Sequence, residues 1–464
     1  MFALNDKQMS MRPTVPVALP LDEFAKELEP LGPNQRDVLS TGVRSLSPDV
    51  LDYVLFLPAM GLVCGLAISL RLIGPLFVVI PIGSCLLYAL LRRTAPPGLL
   101  SAYIAFCIFV AMLSGFHFFP TSWQIYFINE AVVRQMIPLL GFFAVAWASK
   151  AYFQRRLLGG DVFWGAPFII VLGFAVGPAV MLQQGLQYQG DDPAVSILAL
   201  YGAFINNVVI VMFFVMGYIF WTNDWRRYAG LVTIVAIAVV THFLQFRILT
   251  LVALAALFGA PGRIVVIGVV AIFIGGYTIG LGYIPEVMLL SPNSGIRLAF
   301  IADALSSVIH TYGIGIGYGT ESVRWQYEFP DMSVFTFLSD PGSITSDRML
   351  ELLSTGVHNS FVQSLLRTGV LGFLLFVAAF ASALPPRNVP KGVYNHASIV
   401  FCMIFIACFV NPALESPLQA VGIGFVYGYL LALRAGARAR LPAGFVGAVR
   451  PPLRPRSLPS SANV

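Results

Sequence analysis

Apolar stretches of about 20 residues recur along the chain from Leu51 to Leu433, each with the length that crosses the hydrocarbon core of a bilayer. Inside a bilayer, backbone N–H and C=O groups find no water and must pair with one another, so a spanning segment is a helix or a strand of a closed barrel. These stretches lack the period-two alternation of barrel strands. The pattern predicts an all-α polytopic membrane protein with about twelve transmembrane helices, over 52–70, 73–91, 99–119, 131–149, 162–182, 196–220, 228–243, 246–260, 263–284, 361–381, 394–411 and 414–434. Composition agrees: 11% of the 464 residues are charged, against roughly 25% in soluble domains.

The placement of positive charge orients these helices. With the N-terminus inside, the cytosolic connections carry Arg92/Arg93, Lys150/Arg155/Arg156, Arg226/Arg227, Arg263 and Arg387/Lys391. The opposite connections are almost free of lysine, and 183–195 has no basic residue. This is the bias of cytosolic loops in multi-pass membrane proteins. The net charge of +6 is therefore expected to face cytosol and anionic membrane lipids, not nucleic acid. Residues 1–50 are polar, proline-containing and without a signal-peptide pattern, and read as a cytosolic, partly disordered tail. Residues 51–284 would hold helices 1–9, 285–360 a periplasmic loop, 361–434 helices 10–12 and 435–464 a basic cytosolic tail.

The segment 285–360 is the one long connection, and loops beyond about 15 residues are usually functional or disordered. It is not low-complexity: it carries Trp325, Tyr327, Phe329, Phe335 and Phe337, so it is expected to fold against the bundle. Its first part has Ile296, Phe300, Ile301, Leu305 and Ile309 at helical spacing, an amphipathic helix that suits the membrane surface. Arg297 is read in the first turn of that helix, where the helix dipole disfavours a cation, so it does not serve helix stability. Gly313, Gly315, Gly317 and Gly319 follow. Without a preceding strand they are no dinucleotide fingerprint; a flexible link and a close backbone approach both remain open.

Three positions bear charge or proton chemistry near the outer face. Arg247 stands at the outer end of a helix, where a cation is either an interfacial anchor or functional. His358, followed by Asn359, stands where the loop re-enters the membrane; its side chain titrates near neutral pH and suits proton transfer, although a boundary histidine also serves as a cap. Arg367 follows inside the apolar stretch and is expected to face the bundle. Asn411 and Glu415 bracket a tight external turn in FVNPALESPLQ, and Glu415 has the chemistry to orient a base. The five cysteines all lie in apolar stretches, as small buried side chains do. No His or carboxylate spacing suggests a metal site.

These pieces occur together and in order in one family. Arg247 opens a helix rich in Leu and Ala, Ser294-Gly295 precede Arg297, and a Gly315-Ile316-Gly317 turn follows. Then come His358-Asn359-Ser360 with Gly369 and Gly372, and the Asn411-Pro412 turn. In these motifs, over about 180 residues, the chain resembles the O-antigen ligase and Wzy-type polysaccharide polymerase superfamily of bacterial inner-membrane glycosyltransferases. One departure is Phe246, where that family usually carries a small hydroxyl residue. The resemblance implies a GT-C-like fold and glycosyl transfer at the periplasmic face from an undecaprenyl-diphosphate-linked glycan, without metal or cofactor. Arg247 and Arg297 would hold the diphosphate. His358 would act as general base on the acceptor hydroxyl or orient it, with Asn359, Asn411, Glu415 and Arg367 in support.

Within the resemblance, a polymerase joins lipid-linked repeat units of an exopolysaccharide or O-antigen, whereas a ligase moves finished glycan to a lipid A-core acceptor. The polymerase reading is preferred, because the cytosolic tails offer docking segments for other polysaccharide-export components. A secondary transporter is the rival from another class, but no repeated halves are evident and the placed charges gather at the outer face.

Overall fold

The computed structural model describes residues 50–66, 76–119, 125–159, 208–222, 225–243, 292–320, 359–410 and 417–438, with single residues between 162 and 169, parts of 267–284, Val357, Ala413 and Leu414. The fold is all-helical, with no strand among the described residues. A π-helical turn, Asp52–Phe56, leads into α1 (Leu57–Leu66). There follow α2 (Leu76–Leu91), α3 (Gly98–Gly115), α4 (Ile125–Gly159), α5 (Val208–Trp221) and α6 (Trp225–Phe243). The later helices are α7 (Pro292–His310), α8 (Ser360–Ala381), α9 (Lys391–Val410) and α10 (Pro417–Arg438).

Five of these, α3, α4, α8, α9 and α10, hold segments long and apolar enough to cross a membrane. Most predicted spans coincide with helices to within a few residues. The span predicted over 246–260, most of that over 162–182, residues 196–207 of that over 196–220, the tails, and loop residues 321–356 lie outside the described residues.

Polarity is distributed as lipid solvent requires. On α8, Val370, Leu371 and Leu374 are exposed, while Ser360, Gln363, Ser364, Arg367 and Thr368 are buried. A soluble protein would invert that pattern; beside lipid tails, polar groups gain by turning to one another inside the bundle.

Two expectations need correction. Lys150, Arg155 and Arg156 were assigned to a connection after a helix ending at 149, but α4 runs from Ile125 to Gly159. At 1.5 Å per residue this helix is about 52 Å long, well beyond the roughly 30 Å hydrocarbon core. The three cations therefore occupy its final turns. Arg297 does not open α7: the helix begins at Pro292, a residue suited to a first helical position because it gives up no needed N–H. Arg297 lies in the second turn, where the dipole term has largely decayed. The apolar face of α7 also differs in part, since Ile301, Ala304 and Val308 are buried whereas Ile309 is 74% exposed.

The tightest helix contact joins α4 and α10. A Cβ on Gly424 would lie 2.7 Å from the Phe142 carbonyl oxygen, and one on Gly428 would lie 2.5 Å from that of Ala146. The Gly424-x-x-x-Gly428 spacing lets the two backbones touch, the packing mode that membrane helices use in place of hydrophobic burial. Around this seam His396 of α9 bridges to the Tyr429 hydroxyl at 3.1 Å and the Phe213 carbonyl at 3.0 Å, tying α9, α10 and α5.

One end of the bundle is knotted by a buried carboxylate. Asp52, 2% exposed, accepts from Tyr88 Oη at 2.7 Å, Arg92 Nη2 at 3.0 Å and Arg156 Nη2 at 2.8 Å, with Arg155 Nη1 at 3.5 Å. Cations from the link after α2 and from the last turns of α4, which the charge pattern puts on one membrane face, thus meet at a single acid. Nearby, Trp147 Nε1 and Lys150 Nζ donate to the Thr94 and Ala95 carbonyls in the link from α2 to α3.

Candidate functional site

At the other end of α3 from Arg92, a glycine strap closes over a break in α8. The strap begins where α7 ends. Gly313, Gly315, Gly317 and Gly319 all have φ between +73° and +87°, a region that side chains with a Cβ rarely enter. The glycine-rich run is therefore a close backbone approach. Gly369 breaks α8, with φ 66° and ψ −170°. The break frees helical backbone groups, and the strap takes them up: Ile316 N–H donates to the Leu366 carbonyl at 2.8 Å, Gly317 N–H to that of Arg367 at 3.1 Å, and Val370 N–H to that of Gly313 at 2.8 Å. The break falls inside a helix long and apolar enough to cross a membrane, where irregular backbone is tolerated only if protein satisfies it.

Side chains from three directions lock the strap. Tyr318 N–H donates to Ser114 Oγ in the last turn of α3 at 2.9 Å, and Gly319 N–H to Gln135 Oε1 on α4 at 2.9 Å. Arg367, 2% exposed, directs Nη1 to the Gly317 carbonyl at 3.0 Å and to the Thr320 carbonyl and hydroxyl at 2.9 Å each. The expectation that Arg367 faces the bundle holds, and these Nη1 bonds go to neutral strap oxygens. From below, α7 packs on α8 through Ile301, Ala304 and Val308, which share a buried cluster with Ile316, Val357 and Leu366.

Asn359 is the N-cap of α8. Its Oδ1 accepts from Phe361 N–H at 3.0 Å and Val362 N–H at 3.1 Å, satisfying two of the donors that every helix start leaves open. It is 1% exposed, so its work is to start the helix directly after His358. The capping role weighed for the histidine belongs to its neighbour. His358 itself, Arg247, Asn411 and Glu415 lie outside the described residues. Among the predicted site residues, the structure unites Asn359 and Arg367 on α8 and puts Arg297, half-buried, on the helix packed against it.

Next to the break is a small cavity of about 20 Å³, walled by Tyr103, Gln135, Tyr318, Gln363, Ser364 and Arg367 among others. The Tyr103 hydroxyl and Ser364 Oγ bond to each other at 3.0 Å, and Gln363 Oε1 accepts from Val357 N–H at 2.9 Å. Burial, then the nearby Cys107 thiol and Tyr103 phenol, push the Tyr318 phenol well above its ordinary pKa, against an opposing pull from Arg367. Tyr318 is therefore a neutral hydroxyl at any physiological pH and no proton acceptor.

Sequence reasoning passed over Tyr103, Gln135, Tyr318, Gln363 and Ser364. A signal was present for two of them: Ser360, Gln363, Ser364 and Arg367 fall at i, i+3, i+4 and i+7, one polar stripe in an otherwise apolar helix. Among the described residues, no three His, Cys, Asp or Glu side chains gather as a metal site. No protein-family model matches the chain, and no curated protein matches it either.

Proposed function

We propose that this chain is a bacterial inner-membrane glycosyltransferase that joins lipid-linked polysaccharide repeat units at the periplasmic face, using an undecaprenyl-diphosphate-linked glycan as donor. The observation that carries the reading is the polar stripe of α8, which starts two residues after His358 and lines a cavity that Tyr318, at the end of the glycine strap, also walls. A buried polar wall on a membrane-spanning helix is costly and marks a substrate path by default. The strap also lies at the end of α3 away from the arginines around Asp52, which the positive-inside rule assigns to the cytosol. That supports an external site and cytosolic termini.

In this reading the acceptor hydroxyl oxygen attacks the anomeric carbon of the donor. The new C–O bond forms as the bond to the lipid diphosphate breaks, and the diphosphate leaves with the electron pair. Arg247 and Arg297 supply charge-assisted hydrogen bonds to the departing oxygens. His358 takes the acceptor proton or orients the hydroxyl, a contribution typically worth about 10²–10⁴-fold. Asn359 sets the start of α8 and so the position of the residue before it.

The test is mass spectrometry of lipid-linked glycans in cells with and without the protein. Single-repeat lipid-linked glycan should accumulate in its absence, and His358→Ala should reproduce that accumulation while still inserting in the membrane. Long lipid-linked polymer would instead identify a ligase to lipid A-core. Unchanged glycans, with substrate uptake by reconstituted vesicles, would point to a transporter.

A further inference from the structure

The cavity beside the α8 break contains a donor that the fold leaves idle. Gln135 is 9% exposed, and its Oε1 is held by the Gly319 N–H at 2.9 Å. That bond fixes the orientation of the amide. Its Nε2 is buried and meets no acceptor. An unpaired buried N–H is costly, and native proteins keep few of them without a reason. A side chain lacking the NH₂ group would hold the strap equally well through a single acceptor oxygen, so the strap does not explain the amide nitrogen.

The other walls define what this donor awaits. The Tyr103–Ser364 pair presents two hydroxyls able to donate or accept. Gln363 Oε1 is engaged with the backbone of Val357, and Arg367 Nη1 with the strap. Among the described residues no carboxylate lines the space, and the donor that Gln135 offers calls for an acceptor oxygen and not a cation. At about 20 Å³ the cavity takes one water-sized group, too small for a phosphate. The complementary ligand is a single neutral oxygen carrying a proton.

We propose that this cavity is a subsite for one carbohydrate hydroxyl, which accepts from Gln135 Nε2 and exchanges hydrogen bonds with the Tyr103–Ser364 pair. The inference rests on the glycosyltransferase reading and adds to it a specificity-determining group on α4, a helix that carries none of the motif residues. Because Gln363, Ser364 and Arg367 share the α8 face that begins just after His358, the sugar read here is the one at or next to the reacting centre.

The experiment uses the full-length protein in vesicles, with lipid-linked repeat units extracted from cells lacking it as the probe. In Gln135→Glu, assayed at a pH where the carboxyl is ionised, the acceptor for Gly319 is kept and the donor removed; in Tyr103→Phe the ring is kept and the hydroxyl removed. Each should raise KM about three- to tenfold, the range for one lost neutral hydrogen bond, with kcat close to native and the melting temperature of Tyr103→Phe close to native. Extracted glycans in which individual hydroxyls are replaced by hydrogen should reveal one position where native protein loses affinity and Gln135→Glu does not. Native KM in both variants, with unchanged discrimination among the deoxy glycans, would mean that the cavity holds only a structural water and would overturn the subsite. Failure of the native protein to turn over any extracted glycan would instead overturn the glycosyltransferase reading.

Discussion

Replacing Gly369 by alanine probes the break and the strap together. Gly369 has φ 66° and ψ −170°, a region open essentially to glycine alone, and forcing a Cβ into it costs about 1–3 kcal/mol. The added Cβ would lie 2.3 Å from the carbonyl oxygens of both Gly313 and Ile314. Both obstacles are backbone, so no side chain can swing aside and the strap itself must retreat. Retreat breaks the Val370 N–H bond to the Gly313 carbonyl, and leaving that bond unmade costs about 1–3 kcal/mol. The sum is about 2–6 kcal/mol. At roughly 2–3 °C per kcal/mol for a large domain, Gly369→Ala should melt about 4–18 °C below native in detergent. Hydrogen exchange at Ile316 and Gly317 should rise with it. Gly83→Ala is the control: a Cβ there meets nothing within 4 Å, and alanine favours a helix interior by about 0.5–1 kcal/mol. If Gly369→Ala melts with native and keeps the Ile316 and Gly317 amides protected, the strap is not docked in the break and the account of the site fails.

Three further outcomes follow from the packing. Arg367→Met removes the Nη1 donor from the Gly317 carbonyl, the Thr320 carbonyl and the Thr320 hydroxyl, of which the Gly317 carbonyl keeps the Thr320 hydroxyl as a donor; a melting curve should show a loss of at least about 1–3 kcal/mol, and a native melting temperature would contradict it. Asp52→Ala removes the shared acceptor of Arg92 and Arg156, and breaking a buried ion pair from one side costs about 3–5 kcal/mol; a native melting temperature would show that the cluster is not buried as described. Gly428→Leu would put a side chain on the Ala146 carbonyl and should cost at least about 1–3 kcal/mol. Disulfide crosslinking yield between cysteines placed on α4 and α10 should fall with it, and unchanged yield would refute close backbone packing.

Hydropathy made the helices legible because bilayer length is a coarse requirement that any apolar residue can meet. The same coarseness hid where α4 ends: Lys150, Arg155 and Arg156 form helix as readily as they form a loop, and only the contact with Asp52 shows why the helix continues to them. Glycine was legible as punctuation but not as partner. The run Gly313 to Gly319 and the lone Gly369 are 50 residues apart in the chain at their closest, Gly319 to Gly369, and nothing local says that one fills the gap left by the other. Gln135 was invisible for a related reason. A single amide in an apolar helix reads as interhelical adhesive, and half of it is just that, holding Gly319. The other half of the same amide becomes informative only when three elements close around it and leave its nitrogen facing a hydroxyl-lined space. An unmet hydrogen bond is a property of the assembled wall, so it could be read only after α3, α4, α8 and the strap were seen together.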